Sequence, residues 1–350
     1  MAKRKKKRTG SKPAPQKVPT PNKSSLNWKP IAVICIAVLL AVAALIIAIR
    51  AMGQDTTDQP TGTEGTGITS PVVDTTDLTP MRIVKPGNAY ITPDKNSPTV
   101  FSFRKGDRVD MVSREGQWTM IAVEGRGYYL PNESLRALDE YLIVIDPGHQ
   151  MREDHGKEAI GPGGAETETK MDVGHTGTAT GQQEYELNLA IAKKLRTVLE
   201  QRGYTVNLTH SNPSTNSSYR ERAEVANNVY ADAYISIHAA SAEDSAVKGM
   251  YTMCQSKDNT YIGGLYAQNK ELSTLLLDAM VAATNATKLD IQETDKRADI
   301  NWCQVPASIV HVGHLSNADE DRLMTTEDYQ QKLAEGIANG LDQFFAEDEK

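Results

Sequence analysis

Cysteine and phenylalanine are scarce in this 350-residue sequence, which contains three cysteines and four phenylalanines. So few cysteines exclude the disulfide framework that holds many small secreted domains together. The fold must therefore rest on a hydrophobic core, for which 39% hydrophobic residues are sufficient. The length suggests about two domains of roughly 150 residues each. Cys254 and Cys303 lie late in the chain, and the sequence is compatible with a bridge between them or with two free thiols.

Acidic side chains are absent from residues 1–50, which contain eleven Lys and Arg residues. The formal net charge of −7 for the whole chain hides this asymmetry. Residues 51–350 carry 27 basic groups against 45 acidic groups, so their net charge is −18. This acidic part lacks the basic face that nucleic-acid binding requires, and we expect no nucleic-acid partner.

Charged residues are also absent from Ile31–Ile49, which reads IAVICIAVLLAVAALIIAI. A helix of that length spans a bilayer core of about 30 Å. Because the basic residues precede it, the positive-inside bias predicts a single-pass anchor in the cell membrane, a cytoplasmic N-terminus and an exported main part. Residues 1–30 are then a basic cytoplasmic tail and residues 31–50 a transmembrane anchor. The alternative is a cleaved signal peptide, whose apolar region is usually shorter, about 7–15 residues.

Large apolar residues are nearly absent from residues 51–80, which are rich in Thr, Gly, Asp and Pro. Such a segment cannot form a core, and its composition predicts a flexible linker. Residues 81–138 then show short alternating runs separated by Gly and Pro, which predict a small β-barrel. The predicted strands are Ala89–Thr92, Thr99–Phe103, Arg108–Val112, Trp118–Val123 and Gly127–Leu130.

The stretch KGDRVDMV and the later stretch GQWTMIAVEGRGYYLPNESL together resemble a bacterial SH3-like domain. The resemblance covers this segment only, and modules of that family often bind cell-wall peptides. Trp118, Tyr128 and Tyr129 are therefore candidates for the lining of a binding groove. The alternative is that these aromatic residues form the core of so small a barrel.

Strand-like and helical runs alternate over residues 139–350. Such alternation predicts an α/β fold with a mostly parallel sheet and helices on both of its faces. The predicted strands are the apolar part of Tyr141–His149, then Tyr204–Leu208, Ala233–Ile237, Gly249–Met253 and Ala307–Val312. The predicted helices are Glu184–Arg202, Ser218–Ala231, Lys270–Ala283 and Thr326–Phe345.

The stretch Tyr141–His149, YLIVIDPGH, predicts a buried strand that ends in a tight turn at His149. His238 follows the strand Ala233–Ile237, and Glu184 opens the first helix. Ligands of open α/β sheets bind beyond the carboxyl ends of the strands, where we expect these three side chains to meet. Two histidines and a glutamate suit catalytic zinc, which takes three protein ligands and leaves a fourth position for water.

Each of these side chains also has an interpretation that needs no metal. A single histidine after a strand is often an ordinary loop residue. Glu184 at a helix N-terminus is stabilised by the helix dipole alone. The expected convergence of all three at one sheet edge favours the metal site.

Four blocks of this region resemble the zinc-dependent N-acetylmuramoyl-L-alanine amidases of the amidase_3 group: IVIDPGH, EYELNLAIAKKLRTVLEQRGYTVNLT, RERAEVANNVYADAYISIHA and PASIVHVGHLSNADED. They occur in the family's order and cover about Tyr141–Phe345. The resemblance implies that His149, Glu184 and His238 hold the zinc ion, with Glu186 as the alternative to Glu184. It also implies that the substrate is peptidoglycan, cleaved between N-acetylmuramic acid and L-alanine. Asp146 is then expected to orient His149, either as a hydrogen-bonding partner behind it or as a residue of the turn, because a zinc-bound histidine usually needs such support.

The last strand departs from the family's pattern, which is like VE-x-GF-x-SN and supplies a carboxylate that passes the proton to the leaving amine. Here His311 replaces the glutamate and His314 replaces the phenylalanine. Ala240 and His210 are two further departures. His311 either takes over the proton transfer, becomes a fourth zinc ligand, or marks a catalytically impaired protein that binds or regulates peptidoglycan. Without a proton carrier, a factor of roughly 10²–10⁴ in rate is lost.

The long segment Gln150–Gln182 is rich in Gly and acidic residues and shows little apolar periodicity. It is either a solvated acidic loop or a gate over the zinc cleft. The pattern assigns no specific residue of this segment to the site, and it leaves the oligomeric state open.

Overall fold

The computed structural model describes residues 69–348. The predicted basic tail, the transmembrane anchor and most of the predicted linker lie outside the described residues. Among the helices of residues 69–348, none is both long enough and apolar enough to cross a membrane.

The first described domain is β-rich, as its alternating runs predict. Its strands are β1 (Thr79–Ile83), β2 (Gly87–Tyr90), β3 (Thr99–Phe103), β4 (Arg108–Glu115), β5 (Trp118–Val123), β6 (Arg126–Pro131) and β7 (Leu135–Ala137). They form one antiparallel sheet in the order β3-β2-β6-β5-β4-β1-β7. All five predicted strands are present, whereas β1 and β7 were not predicted. The likeness to SH3 domains stays a prediction.

The core of this domain decides between the two interpretations of one aromatic residue. Tyr128 is 7% exposed and packs edge-on against Phe101, with ring centroids 5.0 Å apart. It is therefore part of the core. Trp118 is only partly buried and packs edge-on against Tyr90 at 5.3 Å. Residues before the predicted start at 81 also belong to the domain, because Gly127 donates a backbone hydrogen bond to Pro71 O at 2.7 Å.

The second described domain begins at Tyr141 and alternates between strands and helices. Its elements are β8 (Leu142–Pro147), β9 (Asp154–Ala159), β10 (Thr167–Met171), α1 (Glu184–Gln201), β11 (Thr205–Leu208), α2 (Tyr219–Asn228), β12 (Ala233–Ala240), β13 (Tyr251–Cys254), α3 (Tyr266–Thr284), β14 (Gln292–Glu293), α4 (Ala298–Asn301), β15 (Ala307–His314), α5 (Ala318–Met324) and α6 (Glu327–Asp348). The four predicted helices correspond to α1, α2, α3 and α6. The hairpin β9–β10 and the short helices α4 and α5 were not predicted.

A six-stranded sheet in the order β11-β8-β12-β15-β13-β14 runs through this domain. The pairs β11–β8, β8–β12, β12–β15 and β13–β14 are parallel, and only β13–β15 is antiparallel. The prediction of a mostly parallel sheet is therefore confirmed. Parallel pairing of β8 with β12 brings their carboxyl ends to the same sheet edge.

Helices cover both faces of the sheet. Ile143 and Ile145 of β8 pack in the large core that α1, α3 and α6 complete. Val144 points to the opposite face, where it packs with Ala223 and Ala226 of α2. A strand that is buried on both faces needs apolar side chains at successive positions, which explains the uninterrupted apolar run before Asp146.

The two cysteines of this domain are free thiols, and both are buried. Cys303 packs near α2 in the smaller core, whereas Cys254 ends β13 on the far side of β15. The bridge that the sequence left open is therefore not formed.

A buried ion-pair cluster joins the two domains. Asp232, just before β12, has a side chain that is 5% exposed. It accepts hydrogen bonds from Arg82 at 2.6 Å, from Arg136 at 2.7 Å and from Leu142 N at 2.8 Å. The β-rich domain is thus fixed at the amino ends of β8 and β12, opposite the edge at which His149 lies.

Candidate metal centre

Three predicted ligands converge at the carboxyl end of the sheet. Their closest atoms are His149 Nε2, Glu184 Oε1 and His238 Nδ1, and all three residues are buried. The separations are 3.1 Å between His149 and Glu184, 3.0 Å between the two histidines and 3.3 Å between His238 and Glu184. A tetrahedral metal with bonds of about 2.0 Å has ligand atoms about 3.3 Å apart. The spacing therefore fits a zinc ion held by these residues.

The electrostatics of the three atoms also fit a cation. His149 Nδ1 is 2.7 Å from a carboxylate oxygen of Asp172, which can only accept, so Nδ1 donates and Nε2 is the nitrogen that faces the other two ligands. Burial acts to lower the pKa of His149, but hydrogen bonds to Asp172 and Glu184 outweigh it and raise the pKa to about 9. Burial likewise acts to raise the pKa of Glu184, but the two histidines hold that pKa well below its usual range. The site therefore attracts positive charge.

Glu184, and not Glu186, is the carboxylate of this site. Glu184 is fully buried, and its oxygens accept hydrogen bonds from His175 N at 2.9 Å and Ala239 N at 3.0 Å. Glu186 is exposed and contacts Gln182. Two backbone donors and its place at the start of α1 stabilise the ionised form of Glu184.

Two glycines make room for the ligands. A Cβ atom at Gly148 would lie 2.3 Å from the ring of His238. Gly174 has a φ of +75°, and a Cβ atom there would lie 2.6 Å from Glu184 Oε2 and 2.8 Å from the ring of His149. His149 itself has a φ of +66°, which is uncommon for a residue other than glycine. The backbone is thus shaped around the ligands, at the cost of local strain.

Asp146 supports the turn that carries His149, which is one of the two roles that the sequence allowed for it. It is fully buried and accepts hydrogen bonds from Thr209 at 2.6 Å, Ser236 at 2.8 Å and Arg222 at 3.0 Å. Arg222 in turn donates to the backbone oxygen of His149 at 2.9 Å. Burial acts to raise the pKa of Asp146, but Arg222 outweighs it and the pKa is strongly lowered. Asp146 therefore holds the His149 backbone through Arg222.

His311 lies beside the three ligands on β15. Its ring centroid is 5.5 Å from that of His238, and the ring stacks on Tyr251 at 4.1 Å with planes 9° apart. Its Nδ1 atom is buried and has no hydrogen-bond partner within the described part of the chain. Burial lowers the pKa of His311 well below the usual range, so the ring is neutral. His314 points elsewhere, with Nδ1 3.1 Å from Gly249 O.

The long segment between His149 and Glu184 is an ordered hairpin, and its role was not resolved by the sequence. Its buried hydrophobic side chains are Ile160 and Met171. Trp302 donates from its indole to Ala159 O at 2.8 Å, and Arg220 N donates to Glu158 at 3.1 Å. No periodicity or motif marked Asp172, which contacts His149. A carboxylate in a Gly-rich acidic segment gives no signal that separates it from its exposed neighbours.

Comparisons with known proteins identify the family of the second domain. The family model described as Amidase_3, N-acetylmuramoyl-L-alanine amidase, matches residues 143–343. The probable cell wall amidase LytH of Staphylococcus saprophyticus is 23% identical over 269 residues, which is 73% of this chain and 80% of that protein. Two solved structures share the fold. Ami1 of Mycobacterium smegmatis, an N-acetylmuramyl-L-alanine amidase, has a TM-score of 0.54 and 21% identity, covering 59% of this chain and 97% of its own. Ami1 of Mycobacterium abscessus has a TM-score of 0.53 and 23% identity, covering 58% and 98%.

Proposed function

We infer the chemistry of this protein from one premise: the chain belongs to the N-acetylmuramoyl-L-alanine amidase family, whose model matches more than half of it. It is a cell-wall amidase that hydrolyses the amide bond between N-acetylmuramic acid and L-alanine in peptidoglycan. We propose that it does so with one zinc ion held by His149, Glu184 and His238. The observation that carries this proposal is the mutual spacing of the three ligand atoms, 3.0 to 3.3 Å.

The protein's own residues set the conditions for this chemistry. When bound, zinc polarises the amide carbonyl and lowers the pKa of a water molecule, so that hydrolysis proceeds near neutral pH. Glu184 supplies the negative charge of the site and is fixed by two backbone donors. The two histidines supply ring nitrogens as the other ligands, and all three residues are buried.

We propose that His311 carries the proton from the attacking water to the leaving amine of L-alanine. Its ring lies beside His238, and its Nδ1 atom has no hydrogen-bond partner among the described residues, which leaves that atom available for a hydrogen bond to substrate or water. The stacking on Tyr251 keeps the ring in one orientation. The second hypothesis is that the amidase fold is catalytically impaired. It rests on the imidazole of His311, which stands where the family has a carboxylate.

The test uses the purified protein with one equivalent of zinc and muropeptides as substrate. Mass spectrometry is expected to detect free stem peptides that begin with L-alanine. H149A should abolish both zinc binding and release. H155A is the matched control, because the side chain of His155 is 82% exposed and its loss should change neither.

Substitution of His311 separates the two hypotheses. If His311 carries the proton, H311A lowers the rate by about 10²–10⁴ while one zinc remains bound. If the wild type binds zinc and releases nothing, whereas H311E releases stem peptides, the impaired form is correct. A wild type that binds no zinc would overturn the metal site itself.

We further propose that Ile31–Ile49 anchors the chain in the cell membrane with the amidase domain on the cell-wall side. The uncharged length of this run, the basic residues before it and a substrate located outside the cell support this placement. Membranes washed with alkaline carbonate should retain the full-length protein. Protease added to cells freed of their wall should digest the amidase domain. Intact amidase domain in the cytosol would refute the placement.

A further inference from the structure

The hairpin β9–β10 delivers a carboxylate to the outer edge of the His149 ring. We propose that Asp172 is a positioning residue for the metal ligand His149, and that Tyr219 in turn positions Asp172. This inference rests on the proposed zinc function. It assigns a role to a segment that the catalytic chemistry described above does not use.

Both carboxylate oxygens of Asp172 are engaged. Oδ1 lies 2.7 Å from His149 Nδ1 and also accepts from Gly174 N at 2.8 Å. Oδ2 accepts a hydrogen bond from the Tyr219 hydroxyl at 3.0 Å. With three donors on two oxygens, the carboxylate is fixed in one orientation although its side chain is 55% exposed.

The contact is on the edge of the imidazole opposite the other ligands. His149 Nε2 faces Glu184 and His238, whereas Asp172 contacts Nδ1 on the other side of the ring. The imidazole therefore separates Asp172 from the reacting atoms, and Asp172 does not exchange a proton with them. What Asp172 can do is hold the proton on Nδ1, fix the ring plane and make Nε2 a stronger donor to a metal. It is therefore a positioning residue and not a catalytic one.

The support behind Asp172 extends into the body of the domain. Tyr219 begins α2, is 5% exposed, and has the Arg297 guanidinium 5.3 Å from its ring centroid. Arg297 is held by Asp299 through two hydrogen bonds of 2.6 and 3.0 Å. The hairpin itself is docked through Ala159 and Glu158, as described above. Because Asp172 directly follows β10, undocking of the hairpin would withdraw it from His149.

Thermodynamic linkage follows from this arrangement. If the docked hairpin strengthens metal binding, then the metal must stabilise the docked hairpin by the same free energy. The size of this effect can be taken from other metal sites. Loss of the residue that hydrogen-bonds a metal-bound histidine typically weakens metal affinity about 10–100-fold. The backbone oxygen of Asp172, 3.2 Å from Nδ1, remains as a weaker acceptor when the side chain is changed. We therefore expect the lower part of that range.

The test measures zinc affinity of the full-length protein by competition with a chromophoric chelator. D172N keeps an acceptor but removes the charge, and it should weaken zinc binding about 10-fold. Y219F should weaken it less, because it frees one carboxylate oxygen only. E166Q is the matched control: Glu166 is an exposed acid of the same hairpin, and its loss should leave the affinity unchanged.

A second readout separates positioning from folding. In the cobalt-substituted protein, D172N and Y219F should change the visible absorption spectrum, whereas E166Q should not. If D172N binds zinc as tightly as the wild type, or if E166Q weakens binding equally, the positioning role is refuted while the amidase function stands. If D172N fails to fold, Y219F carries the test. A wild type that binds no zinc refutes the proposed function and this inference together.

Discussion

Removal of Arg222 is the strongest single perturbation that the structure predicts near the metal centre. The side chains of Arg222 and Asp146 are 0% and 1% exposed, and their closest atoms are 3.0 Å apart. Arg222 also donates to Pro147 O at 2.9 Å, His149 O at 2.9 Å and Gln150 Oε1 at 3.1 Å. Arg222→Met would leave a buried carboxylate without its cation and two backbone oxygens without this donor, whereas Gln150 Oε1 keeps a hydrogen bond from Ser217 N at 3.1 Å.

The expected cost follows from the burial of the pair. Breaking a buried ion pair by removing one partner costs about 3–5 kcal/mol, because the remaining charge is uncompensated. Thr209 and Ser236 still donate to Asp146 in this variant, so the loss should lie below the largest value of that range. We expect Arg222→Met to lower the free energy of unfolding by about 4 kcal/mol. Asp146→Asn should cost a similar amount. The double variant should cost less than the two single losses together, by about 0.5–3 kcal/mol.

Urea unfolding followed by circular dichroism measures these losses. Arg196→Met is the matched control, because Arg196 pairs with Glu200 at 2.7 Å on α1 with both side chains nearly half exposed. Such a surface pair contributes about 0.2–1 kcal/mol. Two results would refute the reasoning: a cost for Arg222→Met no larger than for Arg196→Met, or strict additivity in the double variant. Zinc affinity should fall with Arg222→Met as well, since the turn that carries His149 loses its support.

Two further predictions address the site and the hairpin. Gly174→Ala should weaken zinc binding strongly, because the added Cβ would clash with Glu184 and His149. Gly181→Ala is the control: Gly181 has a similar φ of +74°, but a Cβ atom there would have no neighbour within 4 Å, so this variant should lower stability only. Burial and the nearby Asp299 raise the pKa of Glu168 on β10 to about 7 from 4.5. The folded protein therefore binds this proton more tightly than the unfolded chain, and stability is lost as pH rises from about 4.5 to about 7. Glu168→Gln should raise the melting temperature at pH 8 more than at pH 5, and an equal shift at both values would contradict the assignment.

The convergence of His149, Glu184 and His238 could be predicted from the sequence because parallel strands bring their carboxyl ends to one edge. His149 and His238 follow apolar runs that only buried strands explain, and Glu184 opens a helix with clear apolar spacing. The elements that were missed are short or polar. Strands β1 and β7 carry little alternation, and the hairpin β9–β10 buries few apolar residues, so neither produces a periodic signal.

The contacts around the ligands could not be predicted for a different reason. Asp146 is adjacent to the turn in sequence, which suggested that it supports His149, but the link runs through Arg222, 76 residues away, and no pattern pointed to that partner. Asp172 reaches the ring from a segment of 33 residues with eight acidic or histidine candidates of similar type. Pairings of this kind depend on three-dimensional packing, for which one sequence carries no pattern.

The ion-pair cluster at Asp232 and the candidate metal site lie at opposite ends of β12. Asp232 precedes β12 and His238 lies near its far end, so six residues of extended chain separate them, about 20 Å. The β-rich domain is attached at the amino end of that strand, where Arg82 and Arg136 pair with Asp232. The Arg82 and Arg136 contacts of the β-rich domain and the ligand His238 thus share one strand, so the strength of these ion pairs decides whether the β-rich domain stays attached at the end of β12 far from the metal site.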